Sequence, residues 1–314
     1  MASLKQMDLR QLAALVAVAE TGTFSAAADV LHTVQSNVST HIARLERELG
    51  VTLVDRAAGR LTEEGVAVVA RARRVQAELA ALSADVASLR DEVVGRVRLG
   101  VIGTPGPWLV PPLLRLVADR HPRVEVGVLE GNTTSLLPAL VAGDLDLAIV
   151  NLPVTDPEVK VDPLFDEDLV VVVPEGHPLA HREQVGLAEL AEHELLLPPP
   201  GTSIRVDLDD AAAEAGVALR TMAELDGLRL IAELSFQGFG PSVLPSSGVP
   251  HVETAAWHRV AIEDPPVRRV GLAVRRRGLP SAPSRALAEC IVEVVTSRAR
   301  ELLGIAVTAR PTGR

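Results

Sequence analysis

Residues 33–49 read TVQSNVSTHIARLEREL, and the apolar positions Val38, Ile42, Leu45 and Leu49 recur at spacings of four, three and four. That period lines one face of a helix. Around the start of the stripe stand Gln35, Ser36, Asn37, Ser39 and Thr40, small hydrogen-bonding side chains of the kind that meet base edges when the first turns of a helix enter a major groove. Gly50 closes the helix, and Thr33 is expected to cap its start. Upstream, Leu9, Leu12, Val16 and Ala19 mark an amphipathic helix that stops at Thr21-Gly22. A second short helix follows from about Ser25 to Leu31, and its Ala26-Ala27-Ala28 face lets a neighbouring helix approach closely. Helix, helix, short turn, helix is the resulting order.

Downstream, VTLVDRAAGRLT (51–62) predicts two short strands around Ala57-Ala58-Gly59, with Arg56 and Arg60 flanking the tip of a small wing. From Glu63 to about Asp91, Val68, Ala72, Val75, Leu79, Leu82, Val86 and Leu89 alternate spacings of four and three, a heptad seam. A lone helix lying on its own domain has no need of so narrow a stripe, and a second copy of the chain is the expected partner. After Gly95 the pattern becomes VRLGVIG, and strands then alternate with helices: VEVGVLEG, Thr134 to Ala142, LDLAIVNLP and DLVVVVP. That order predicts a parallel or mixed sheet covered by helices. The expected fold is thus α/β with an N-terminal all-α winged helix-turn-helix, followed by two α/β lobes joined by crossovers near Phe165 and Pro266. The expected boundaries are 1–62 for the winged unit, 63–91 for a dimerising linker helix and 92–96 for a hinge. Lobe I should then take 97–165 and 267–307, lobe II 166–266, and 308–314 a loose tail.

The 314 residues are 47% apolar, ample for buried cores, but hold only four Phe, two Trp and no Tyr. A surface of stacked rings for single-stranded nucleic acid is therefore disfavoured. The start MASLKQMDLRQ carries no long apolar run behind a basic end, and no run of about eighteen apolar residues occurs, so a cytoplasmic location is expected and no membrane contact. Cys290 is the sole cysteine, which excludes an intrachain disulfide, a thiolate zinc cluster and a two-cysteine redox switch; packing in the last helix is its expected role. The net charge of −10 argues against a polyanion partner, yet residues 1–62 carry six basic and six acidic groups and net zero. DNA affinity must then come from a few placed Arg, helix termini and the doubling of sites in a dimer.

Several stretches in this order resemble the LysR-type transcriptional regulators. Residues 7–56, from MDLRQLAALV to VTLVDR, look like that family's winged helix-turn-helix, with Gln35, Ser39, Ile42, Leu45 and Glu46 where its signature has them. LTEEG resembles the entry to its linker helix, and LVPPLLRLVADRHPRVEVGVLEGNT, GDLDLAIV, PEGHPLA and FQGFGPSVLP resemble landmarks of an effector-binding half built like a type 2 periplasmic binding protein. Val34 stands where a hydroxyl residue is usual, Val54 where phenylalanine is common, Ser36 where proline often sits, and the wing is short. The resemblance implies double-stranded DNA with an interrupted inverted repeat as partner, a dimer of dimers, contact with RNA polymerase, and a small-molecule effector between the lobes.

With the apolar stripe inward, Gln35, Ser36, Asn37, Ser39 and Thr40 are the expected base readers, and Arg44, Arg56 and Arg60 the phosphate contacts. The competing readings are helix capping for Gln35, Ser36 and Asn37 and ion pairing for the arginines, Arg44 with Glu48 for instance. Turns at Gly103-Thr104, Gly131-Asn132-Thr133-Thr134 and Gly201-Thr202-Ser203-Ile204-Arg205 each lead into a helix, where free amides favour anions. Thr104, Thr133, Thr202, Ser203 and Arg205 are the expected effector contacts, with a small organic acid as ligand; Arg205 has the alternative of pairing with Asp209. No GxSxG, HExxH or P-loop pattern occurs, His177 and His181 lie in a loop broken by Pro178, and neither catalysis, metal nor cofactor is called for. The rivals are a solute-binding receptor, which would need an export signal and not residues 1–91, and, third, a bilobal α/β enzyme.

Overall fold

The computed structural model describes residues 7–56, 58–89, 92–250 and 256–309. They form two compact units, one reaching to Val86 and the other starting at Ala87, with 142–144 grouped with the first. In the first unit α1 (Leu9–Thr21), α2 (Phe24–Val30) and α3 (Gln35–Leu49) follow in order. Asp8 caps α1 by accepting from the Arg10 and Gln11 amides, while the Gln11 side chain returns to the Asp8 amide, the reciprocal arrangement that satisfies donors at a helix start. Gly22 and Gly50 end α1 and α3 in the left-handed conformation with φ of 75° and 72°, which glycine enters at no steric cost. Leu15, Ala27, Val38, Ile42, Leu45 and Leu53 are fully buried together, each large aliphatic contributing about 1.5–3 kcal/mol by leaving water.

Two expectations about α3 are corrected. Leu49 is 38% exposed, because the helix ends there and its last turn overhangs the core. Thr33 does not cap; the N-cap residue is Val34, which has no side-chain oxygen to offer, and Thr33 Oγ1 accepts instead from Asn37 Nδ2 at 3.0 Å. The second helix starts at Phe24, close to the expected Ser25, where Thr23 accepts from the Ala26 amide and caps it.

Strands β1 (Val54–Asp55) and β2 (Arg60–Leu61) pair antiparallel as the wing; Ala57 in its tip lies outside the described residues. Glu46 Oε1 accepts from the Leu53 and Val54 amides at 2.8 and 3.2 Å, fixing the wing to α3. Helix α4 (Glu63–Ser88) follows, and residues 90–91 of the expected linker lie outside the described residues. Its first turns, through Val69 and Ala72, join the core, whereas Val75, Leu79, Leu82 and Val86 are exposed. Among the described residues no single helix is long and apolar enough to cross a membrane.

The second unit begins with β3 (Gly95–Ile102), α5 (Gly106–Arg120), β4 (Val124–Gly131), α6 (Thr133–Ala142) and β5 (Leu147–Asn151). The strand thus takes in Gly95 and Arg96, expected as hinge, because β3 pairs in parallel with β4 from Gly95 onward. The chain continues through β6 (Val159–Pro174), β7 (Gln184–Val185), α7 (Leu187–Leu190), β8 (Glu194–Leu197), α8 (Ser203–Glu214), β9 (Arg220–Glu224), α9 (Leu228–Phe236) and β10 (Ser242–Pro245). It closes with β11 (Trp257–Ile262), β12 (Val267–Arg275), α10 (Ala282–Arg298) and β13 (Ile305–Val307).

One strand serves both lobes. The first part of β6, up to Asp168, pairs with β12, and its end, from Leu169, pairs with β10 and β11. Lobe I therefore keeps the strand order β4-β3-β5-β12-β6, and lobe II is built on β6-β10-β8-β9. The crossovers run through β6 near Phe165 and through the link from β11 to β12. The start of the expected loose tail is held, since the Thr308 and Ala309 amides both donate to the Leu164 carbonyl; residues 310–314 lie outside the described residues. Cys290 is buried on α10 in the lobe I core.

Candidate functional site

The residues expected to read bases stand on α3. Val38, Ile42 and Leu45 anchor the helix, and Gln35, Ser36, Asn37, Thr40 and Arg44 project into solvent, with Ser39 half-buried. The N-cap residue Val34 offers α3 no side-chain oxygen, and Gln35, Ser36 and Asn37 lie inside the helix rather than before it. Asn37 is tied back to Thr33, and Thr40 Oγ1 donates to the Ser36 carbonyl at 2.8 Å. Arg56 and Arg60 are exposed on the wing. The Arg56 guanidinium lies over the Phe24 ring, 5.5 Å from its centroid, and donates to Ser39 Oγ at 3.2 Å. A cation stacked on a ring and hydrogen-bonded at its edge is oriented before it meets a partner. Glu48 accepts from Gln11 at 3.0 Å, fastening α3 to α1.

In the second unit a cavity of about 510 Å³ opens between the lobes. Lobe I lines it with Ile102, Gly103, the 130–134 turn and Asn151; lobe II lines it with Pro198, residues 201–204 and residues 226–229; Arg268 completes the wall. The starts of α6, α8 and α9 all face it, and neither α8 nor α9 has a side-chain cap, so their first amides remain available to an anion. Glu130 and Arg229 pair across its rim at 2.8 Å.

Arg268 is 3% exposed. Its Nη1 donates to Glu167 Oε1 at 2.7 Å and Thr104 Oγ1 at 2.6 Å, and its Nε donates to Asn151 Oδ1 at 2.8 Å. Asn151 in turn donates from Nδ2 to Ser203 Oγ at 2.7 Å, which links the lobes, and its amide donates to Thr133 Oγ1 at 3.0 Å. Glu167 Oε2 accepts from the Ser247 amide. Burial pulls the Arg268 guanidinium down from its ordinary value while Glu167 beside it pulls back up; a buried charge of this kind is tolerable only because it is paired and hydrogen-bonded. Asp207 on α8 is pushed above the usual carboxylate range, first by burial and then by Asp210, with Arg269 and Arg268 opposing.

Of the residues expected to touch an effector, Thr133, Thr202 and Ser203 line the cavity, whereas Thr104 and Arg205 do not. Thr104 is buried behind Arg268. Arg205 is a correction: its Nε bonds both oxygens of Asp209 at 2.9 Å and its Nη1 reaches the Pro198 carbonyl, so the carboxylate one helical turn away has already taken it. Thr202 precedes α8 without capping it, and its hydroxyl donates to the Pro199 carbonyl. His177 sits in its loop with Nδ1 accepting from the Leu179 amide and its ring against His193; burial, then His193, lowers its pKa.

Sequence reasoning missed Arg268, Glu167 and Asn151. For the first two a signal existed. In VRRVGLAV the inward positions Val270 and Leu272 place Arg268 inward too, and in FDEDL the inward Phe165 and Leu169 do the same for Glu167. Two opposite charges at inward positions of paired strands must meet. Asn151 carried no such mark.

The family model described as bacterial regulatory helix-turn-helix protein, lysR family, matches residues 9–66, and that described as LysR substrate binding domain matches residues 90–296. The chain belongs to the LysR family of bacterial transcriptional regulators. Among LysR relatives it is 39% identical over 300 residues to a probable hydrogen peroxide-inducible genes activator of Streptomyces viridosporus, covering 93% of this chain and 95% of that one. Full-length OxyR of Pseudomonas aeruginosa with a cysteine-to-aspartate substitution superposes with a TM-score of 0.77 at 28% identity, over 98% and 99% of the two chains. CbnR complexed with its target DNA gives a TM-score of 0.67 at 26% identity, over 92% and 99%.

Removing one partner of the Arg268–Glu167 pair should be far worse than removing both. Arg268→Ala is expected to cost about 3–5 kcal/mol in urea unfolding, because Glu167 is left buried and unpaired. The double replacement Arg268→Met with Glu167→Leu should recover part of that loss, the rest remaining because the Ser247 amide and Asn151 Oδ1 lose their partners. Equal stability of Arg268→Ala and the parent would show that the pair is not buried.

Proposed function

We propose that this regulator acts as a homodimer, paired again as a dimer of dimers, on duplex DNA carrying an interrupted inverted repeat, and that a small organic acid held between its lobes alters its grip. The open start of α3 carries the DNA half of this reading: Gln35, Ser36 and Thr40 stand exposed on a rigid three-helix core, and none is consumed as a cap. Gln35 suits adenine, and the hydroxyls of Ser36, Ser39 and Thr40, with Asn37, suit several base edges. Arg44, Arg56 and Arg60 hold phosphates, Arg56 with its head already oriented by Phe24 and Ser39. Residues 1–62 form the reading unit, 63–91 the dimerising linker and 97–307 the effector half. The protein works in the cytoplasm, catalyses no reaction, needs no cofactor and has RNA polymerase as a further partner.

Three helix starts converging on one cavity support an anionic effector. Thr133, Thr202 and Ser203 supply hydroxyls there. The Streptomyces relative is named for induction by hydrogen peroxide. In this chain the only cysteine is Cys290, which is buried and whose thiol burial pushes up. A thiol so placed is a poor nucleophile, and one cysteine cannot close an intrachain disulfide, so the effector response is read as non-covalent.

Two measurements test the reading. In gel shifts at fixed salt, Gln35→Ala should lose about 1–3 kcal/mol of discrimination between operator and random DNA, and an unchanged ratio would remove Gln35 from the interface. In thermal-shift assays short-chain mono- and dicarboxylates, tested beside their neutral amides and hydrogen peroxide, should stabilise the protein selectively. Thr202→Val should abolish that shift and keep operator affinity. Equal shifts by the amides, or a normal dose response from Thr202→Val, would contradict an acid bound at this site.

A further inference from the structure

Val34 is out of place as a structural residue. It occupies the N-cap of α3, where an oxygen-bearing side chain would accept from the first free amides, and it offers none. It is also 59% exposed, so its methyl groups stabilise no core. A residue that weakens its own helix and leaves apolar surface in water breaks two local rules at once, and such breaks concentrate at functional sites.

Its neighbours say what it faces. Gln35, Ser36 and Thr40, exposed on the same leading turns, recognise hydrogen-bonding edges, and no Lys or Arg occurs between residues 33 and 43. Guanine, whose usual reader is a guanidinium, would then fall to Arg44 or Arg56 rather than to the side chains of these turns themselves. The feature of the major groove that amides and hydroxyls cannot sense is the C5-methyl group of thymine, which an apolar side chain detects by contact. We propose that Val34 is a specificity-determining residue that packs against a thymine methyl in each operator half-site, beside the base met by Gln35. This inference rests on α3 being the base-reading helix.

The test uses the full-length protein and an operator obtained by selection from random duplexes. Each thymine is replaced in turn by deoxyuridine, which deletes the methyl and keeps the base pair. At one thymine per half-site the parent should lose affinity about fourfold, the worth of one buried methyl-sized group. Val34→Ala, which keeps one methyl on a shorter side chain, should show a smaller thymine preference than the parent. Val34→Ser, which restores a capping oxygen, should raise the melting temperature of the free protein and still show no thymine preference, separating a reading role from a structural one. The proposal is overturned if no uracil substitution weakens the parent, or if Val34→Ala and Val34→Ser keep the parent's sensitivity. Failure to select any operator would overturn the reading of α3 itself. Loss of sequence preference in Gln35→Ala with harmless uracil would sink only the role of Val34.

Discussion

An apolar stripe along α4 cannot be left in water without cost, and the rest of the molecule's working depends on how it is covered. Val75, Leu79, Leu82 and Val86 recur at heptad spacing and are exposed, Leu82 by 63%, while the same helix has already spent Val69 and Ala72 on the core of the reading unit. Covering the stripe with a second copy would hold two reading units at a set distance. That spacing matters because the unit nets zero charge over residues 1–62 and gains little from bulk attraction to DNA. Two sites on one linker convert a weak second contact into an intramolecular one. Pairing through the exposed seam would thus answer the neutrality of the reading unit as well.

In the second unit, the cavity wall and the crossovers between the lobes are built from neighbouring residues. β6 runs through one crossover between the lobes and β12 begins just after the other, and Glu167 and Arg268 stand on those strands. Their pair lies behind the cavity, where Arg268 holds Asn151 and Asn151 holds Ser203 of the opposite lobe. Ser203 Oγ accepts from Asn151 and keeps its own proton to donate, so a carboxylate that accepted from it would add to the contact across the lobes and bias their spacing. Such an effect needs a ligand that prefers one spacing over the other, since equal affinity for both shifts nothing.

Much of this was legible in the chain alone because it is written in periodicity. The helices of the reading unit, the wing, the linker and the alternation of strands and helices all follow from apolar spacing and glycine stops. What was not legible is set by competition in three dimensions. Thr33 looked like a cap because of its hydroxyl, but the helix starts one residue later and leaves Val34 in that position. Arg205 looked free for a ligand, but Asp209 is one turn away and binds it first. Arg268 and Glu167 were hidden among surface-like charges, and only the inward phase of their strands gives them away. Asn151 carries no sequence signal, since its importance arises from which residues the crossover brings to it.

The central claim is that the exposed face of α4 holds two reading units together. Sedimentation of Leu79→Glu with Leu82→Glu, beside the parent and with operator duplex added, tests it most directly. The account predicts a parent that sediments as a dimer or larger and a charged variant that sediments as a folded monomer with operator affinity lost. A monomeric parent, or a variant that keeps both its assembly and its operator affinity, would contradict it.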